Sequence, residues 1–348
     1  MKKMEFQKEH LCHLPCCYAV SPLWQNGRLK YLLATDDIGP CYCIDAQDHT
    51  CETVWEEPGG TMSIIPLPGT NGEFLASKYF LPNFSALHAR IVSMRRVDGQ
   101  WKQELWMDLP YVHRFDLLHR GGQIYFLGCI LSTTTQEQAD WSKPGTLVAA
   151  PVNGDFAPPA QLETIAAGMS RNHGYFRVER EGYSQAYTAC DQGVFRVTPP
   201  AQSGQTWTVE QLLDTPASDV AVCDLDGDGQ EELATIEPFH GNQFVIYKKV
   251  GGSYQEIYRY PSPVDFLHAI WGGKLCGEPV FLAGCRALDK ELFVIRWTGD
   301  GPKATIIERD HGPSNVAVFG DGATEYILTA NRQSDEGAIF TVRKGEPA

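Results

Sequence analysis

Four histidines separated by dozens of residues, His113, His173, His240 and His268, offer the most direct route from this sequence to chemistry. Neutral imidazoles gathered in one place ligate a divalent transition metal (zinc, manganese or iron(II)) and can leave positions open for a substrate. Such an ion is expected to leave as pH falls through roughly 6, because protons compete for the same lone pairs. Ionisable residues elsewhere could act on that substrate. Lys78, Tyr79 and Glu237 are candidate catalytic groups for acid or base work, and Arg286 and Arg332 could grip a carboxylate or a polyol. Each has a plainer reading: a histidine that bonds a neighbouring element, or an ordinary surface charge.

The second chemical signal is compact. Asp224, Asp226 and Asp228 alternate with Leu225, Gly227 and Gly229, and Glu232 follows. Alternating carboxylates converge where glycines let the chain turn tightly, and calcium needs six or more oxygens at roughly 2.4 Å. The EF-hand is excluded because position twelve is Thr235 and strands flank the loop. The plainer alternative is a solvated Asp-Gly hairpin. No Ser/His/Asp pattern, phosphate-binding loop or dinucleotide glycine pattern is present, so hydrolase, kinase and dehydrogenase readings lack support.

The elements that must position these groups follow from internal repetition. Seven similar apolar strands recur, among them Tyr31–Ala34, Ile124–Gly128, Val280–Ala283 and Tyr326–Ala330. The strand before each centres on Ala19, Ile64, Phe115, Gly174, Val220, Ala269 and Val316, a recurrence of roughly 50 residues. A four-stranded unit at that period is a propeller blade. No long segment has a helical period. The expected fold is therefore all-β, a seven-bladed β-propeller of four-stranded blades forming one domain over residues 1–348. The last blade runs out at Lys344 without an outer strand, and Phe6–Leu11 supplies one. Residues 5–11 should pair beside 338–343, which removes an open sheet edge.

In this arrangement the segments entering the innermost strands share a face with the loops joining second to third strands. The first set carries His113, His173 and His268; the second carries Lys78, Tyr79, Glu237, His240, Arg286 and Arg332. Loops on a rigid scaffold carry function, so convergence at one mouth of the channel is expected. The long loop at 131–144 reads as a lid or as an insertion.

The 348 residues are 43% hydrophobic and 21% charged, ordinary for a globular chain. A formal charge of −14 without a basic cluster argues against nucleic acid. No apolar run is long enough for a membrane helix. The start has no apolar segment of the kind a secretory signal needs, and the 11 cysteines are scattered through strands. Both point to the cytoplasm and to free thiols. Zinc at Cys41, Cys43 and Cys51 would need a second cysteine pair that the sequence lacks.

The stretch 219–247 resembles the FG-GAP/VCBS repeat of β-propellers, whose D-x-D-G-D-G-x-x-E/D-L loop binds calcium between the first two strands of a blade. That resemblance implies a structural calcium at Asp224, Asp226, Asp228 and Glu232. Here a single blade carries the full motif, and Asp321-Gly322 retains a fragment. A weaker resemblance covers about 232–297, where Glu237-Pro-Phe-His240-Gly241, Leu267-His268-Ala-Ile-Trp271 and Ala283-Gly-Cys-Arg286 look like the propeller of aldos-2-ulose dehydratase-type proteins. It implies that His240, His268 and Arg286 face a metal-assisted sugar site, although this chain is much shorter than those enzymes. Two functions follow: a metal-assisted carbohydrate lyase, dehydratase or isomerase acting on a small sugar-like ligand, or a non-catalytic binding propeller with structural calcium.

Overall fold

The structure, a computed structural model, describes residues 4–320 and 324–345; the Asp321-Gly322 fragment lies outside the described residues. Its elements are strands, with two single 3₁₀ turns at Pro82–Phe84 and Arg332–Ser334 and no α-helix among the described residues. There are five antiparallel sheets of four strands and one of eight. The eight divide into two runs of four, over 112–169 and 174–213, joined through the single pair Arg120–Tyr183.

Each run is ordered along the chain, except the last. There Met4–His13 lies outside Glu336–Lys344, followed inward by Glu325–Asn331 and Pro313–Gly320. The register runs from Met4 opposite Lys344 to His13 opposite Glu336 and includes Glu5–Arg343 and His10–Ala338. The pairing of residues 5–11 beside 338–343 is thus present and extends beyond both ends of the expected range.

Burial explains the sequence pattern. Second and third strands lie between neighbouring sheets, so both of their faces are covered and they read as continuous apolar runs. Leu33 and Ile44 pack against Leu328 and Ile339 across one such gap. Phe244 and Ile246 meet Phe281 and Phe293 across another. Outer strands such as Thr208–Leu213 keep exposed or half-buried side chains, with Leu213 alone buried in that strand.

The first strand of every run contributes to one cavity of about 500 Å³, from Ala19 and Ile64 through Arg114, Tyr175 and Asp219 to Ile270 and Asn315. The sheets therefore surround a common channel. Arg114 spans it, donating to the Met62 carbonyl at 2.7 Å and to Asn315 Oδ1 at 2.9 Å.

Candidate metal centre at one mouth of the channel

The residue just before the unbroken ladder of each first strand occupies an equivalent place. These residues are Tyr18, Ser63, His113, His173, Ser218, His268 and Ser314, which precede Ala19, Ile64, Arg114, Gly174, Asp219, Ala269 and Asn315. At Tyr18, His113, His268 and Ser314 the register shifts by one residue. Such a bulge re-aims a side chain that would otherwise lie along the sheet. Here it aims three aromatic polar groups at the axis.

A belt of hydrogen bonds then fixes them. Ser63 Oγ donates to the His113 carbonyl, His113 Nδ1 to the His173 carbonyl and His173 Nδ1 to the Ser218 carbonyl, at 3.3, 3.3 and 3.0 Å. His268 Nδ1 donates to the Ser314 carbonyl at 2.6 Å, and Ser314 Oγ to the Cys17 carbonyl at 3.1 Å. A carbonyl only accepts, so Nδ1 carries the proton in each imidazole and Nε2 keeps its lone pair. This is the outer-sphere arrangement that orients a metal-ligating histidine.

His240 arrives from the loop after strand Glu232–Glu237, in the left-handed backbone region. Its Nε2 lies 3.2 Å from that of His173. One ligand nitrogen from each of His173, His240 and His268 falls within 4.8 Å of the others. The His113 ring stands 4.1 Å from that of His173, beside the trio. Tyr18, which sequence reasoning missed, places its hydroxyl 3.2 Å from His268 Nε2 and 3.5 Å from His113 Nε2. Burial holds His113, His173 and His268 well below the usual imidazole range, and lowers His240 to about 3. The imidazoles are therefore neutral at physiological pH. The same desolvation places protonation of these imidazoles below the pH of roughly 6 at which a free imidazole would compete with a metal. Three neighbouring imidazoles, two of them pinned through Nδ1, suit zinc, manganese or iron(II).

The cavity above them has a volume of about 260 Å³ and includes Tyr18, Asp36, His113, Phe266, Arg286 and Arg332 in its wall. Arg332 Nε donates to Asp36 Oδ2 at 2.6 Å, while Asp36 Oδ1 is buried without a hydrogen-bond partner. Phe239 stacks on His240 at 4.1 Å and Phe84 at 6.0 Å. The long loop is fastened over this aromatic cover. Ala139 N donates to the Phe84 carbonyl, Glu137 O accepts from Ala86 N, and Trp141 meets Phe84 edge-on at 5.1 Å.

Three sequence candidates lie elsewhere. Lys78 is buried with its ammonium 4.4 Å over the Trp55 ring and 2.8 Å from Gln103 Oε1, and burial lowers it to about 8. The Tyr79 ring lies under the Arg90 guanidinium. Glu237 accepts from the Thr235 and Tyr247 hydroxyls at 2.6 and 2.9 Å, and burial raises its carboxyl. None of the three is in the cavity wall; Arg286 is.

The acidic loop forms a separate cluster. Oxygens of Asp224, Asp226 and Glu232 approach within 4.8 Å of one another. Positive φ at Gly227 and Gly229 makes the turn possible, and open space around both shows that backbone angle is the reason for glycine there. Asp224 Oδ1 is buried without a hydrogen-bond partner among the described residues, which fits a hard cation, and Glu232 Oε1 faces the Lys248 ammonium. A group the sequence reading missed competes for the same oxygens. Lys248 Nζ lies 2.5 Å from Asp226, 2.7 Å from Asp228 and 3.1 Å from Glu232. One ammonium among four carboxylates still leaves the cluster strongly negative. Cys41, Cys43 and Cys51 form no metal-ligand group among the described residues.

Among the described residues no helix is long and apolar enough to cross a membrane. No family model matches the chain, and no curated protein sequence does. Solved structures do match. The chain is similar to a streptogramin B lyase with a TM-score of 0.58 and 13% identity over 98% of both chains. It is similar to a catalytically inactive virginiamycin B lyase from Staphylococcus aureus with quinupristin, with a TM-score of 0.57 and 15% identity over 97% of this chain and 99% of that one. A periplasmic gluconolactonase of Pseudomonas aeruginosa gives 0.57 and 14% over 92% and 90%. At such identities the likeness is one of fold, a β-propeller.

Proposed function

We propose that the chain is one seven-bladed β-propeller domain, closed by its N-terminal strand, that acts as a metal-assisted carbohydrate lyase, dehydratase or isomerase on a small sugar derivative at the channel mouth. Proteins of the same fold include lyases and lactonases. The observation that carries this reading is the trio of His173, His240 and His268, with two rings pinned through Nδ1 so that Nε2 faces the cavity. A divalent ion held there would supply Lewis acidity toward a carbonyl or carboxylate oxygen. His113, neutral and outside the trio, offers Nε2 as a proton acceptor, and the Tyr18 hydroxyl beside it passes or returns that proton. The cover of Phe84, Phe239 and Trp141 excludes water. Arg286 orients the substrate. Eleven free thiols support a reducing compartment, the cytoplasm.

The test is elemental analysis of purified protein before and after chelation. One equivalent of a transition metal per chain is expected, falling by at least about tenfold in His173→Ala and His268→Ala. Undiminished metal in both folded variants would refute the site. The second reading, a binding propeller with an FG-GAP-like structural calcium, draws support from Lys78 and Glu237, whose charged groups are engaged away from the cavity. Calcium without any transition metal would favour it.

A further inference from the structure

We infer, building on that reading of the cavity, that its ligand is a small hydroxycarboxylate, an acid of the sugar-acid class rather than a neutral sugar, with the carboxylate on Arg286 and a hydroxyl donated to Asp36. Arg286 is only 9% exposed. Among the described residues its side-chain hydrogen bonds reach Gln333 Oε1 alone, at 3.3 and 3.4 Å, the long end of the range. The guanidinium lies 4.3 Å over the Phe266 ring, and that ring stands 4.7 Å from His240. One aromatic ring thus separates the cation from the imidazole trio. Arg332 in the same wall already has Asp36 as its partner, so Arg286 is the guanidinium left without a carboxylate.

The charge balance points the same way. Asp36, Arg286 and Arg332 are the charged side chains in the wall, and the imidazoles are neutral. The cavity is net positive in a chain whose formal charge is −14. Three neutral ligands would also leave the charge of a divalent ion uncompensated. A neutral sugar supplies no countercharge, whereas a carboxylate matches the planar donor fork of arginine. The buried acceptor Asp36 Oδ1, without a partner, asks for a donor as well. A molecule bearing both a carboxylate and a hydroxyl satisfies both. A volume of about 260 Å³ restricts it to a small one.

The experiment is calorimetric titration of the full chain with lactate, D-gluconate and D-galacturonate, against propane-1,2-diol, D-glucitol and D-galactose, with inorganic phosphate as a further probe. Metal-loaded and chelated protein are both used. At least one carboxylate should bind, its neutral counterpart about tenfold or more weakly, and phosphate more weakly too. Arg286→Gln should weaken that carboxylate at least about tenfold while metal content and melting temperature hold, and Arg286→Lys should recover only part of the loss. Neutral ligands binding as well as the acids, phosphate binding as well as the best acid, an unaffected Arg286→Gln variant, or no carboxylate binding to folded protein would each overturn the inference. Arg286-dependent carboxylate binding to a protein that takes up no transition metal would sink the metal reading and leave this one standing.

Discussion

Asp219 shows how one carboxyl reports on the channel. It sits one residue after Ser218, on the channel side of the hydrogen-bonded belt, and burial raises it to about 7. Arg114 and the backbone N–H groups of Val220 and Tyr175 only partly offset that desolvation. Between about pH 4 and 7 the folded chain therefore holds a proton that the unfolded chain has released. The stability this residue contributes is full below about pH 4 and is lost as pH rises through 7. Asp219→Asn removes the dependence. Its melting temperature relative to wild type should climb by a few degrees between pH 4 and 7.5, and a gap that stays constant over that range would contradict the assignment. Residue type alone was a poor guide to which groups reach the cavity. Lys78 and Arg286 hold equivalent places, two residues beyond the pairs Ile64–Ala76 and Ala269–Gly284. Lys78 nevertheless turns between sheets toward Trp55, and Arg286 lies on Phe266. Their neighbours, distant in sequence, decide the direction.

Among the elements, the hairpin that carries the acidic loop is a competition between cations. Lys248 projects from strand Gln243–Val250 into the carboxylates that calcium would use. Asp226→Ala should abolish calcium-dependent thermal stabilisation, which at a hundredfold excess over Kd amounts to about 2.7 kcal/mol. Lys248→Gln should strengthen calcium binding by removing the competitor. Calcium raising the melting temperature of Asp226→Ala as much as that of wild type would place the ion elsewhere. The loop itself was legible because its chemistry is local, with eight of the nine residues 224–232 acidic, glycine or amide. The first strands were legible for a different reason, since a period of roughly 50 residues repeats the same apolar run. Their bulges were not. A register shift leaves no compositional mark, so Tyr18 stayed hidden, although it occupies the place that His113 and His268 occupy in their own strands. Aligning the residue just before the unbroken ladder of each first strand would have found it, together with Ser63, Ser218 and Ser314.

For the molecule as a whole, the seam between the two ends of the chain carries the fold. Strand Met4–His13 pairs along the full length of Glu336–Lys344, Met4 is buried, and Lys8 joins Glu308 and Glu336 at 2.6 and 2.7 Å. Deleting residues 1–12 should lower the melting temperature by about 10 °C or more, as measured by calorimetry. A truncated chain that melts with wild type would show that the seam is dispensable. The belt of side chains donating to the next sheet's carbonyls gives that deletion a second consequence. His268 is oriented by the Ser314 carbonyl, and Ser314 in turn reaches from the sheet that the seam completes to Cys17 of the first sheet, while Asn315 Nδ2 holds the Tyr18 carbonyl at 2.7 Å. The spacing of the imidazoles is thus set by the circumference of the ring. If an ion binds at the mouth, as proposed, ion binding and ring closure are linked equilibria, and linkage is reciprocal: the ion would tighten a seam on the far rim, and loosening that seam would weaken the ion's hold without touching a ligand.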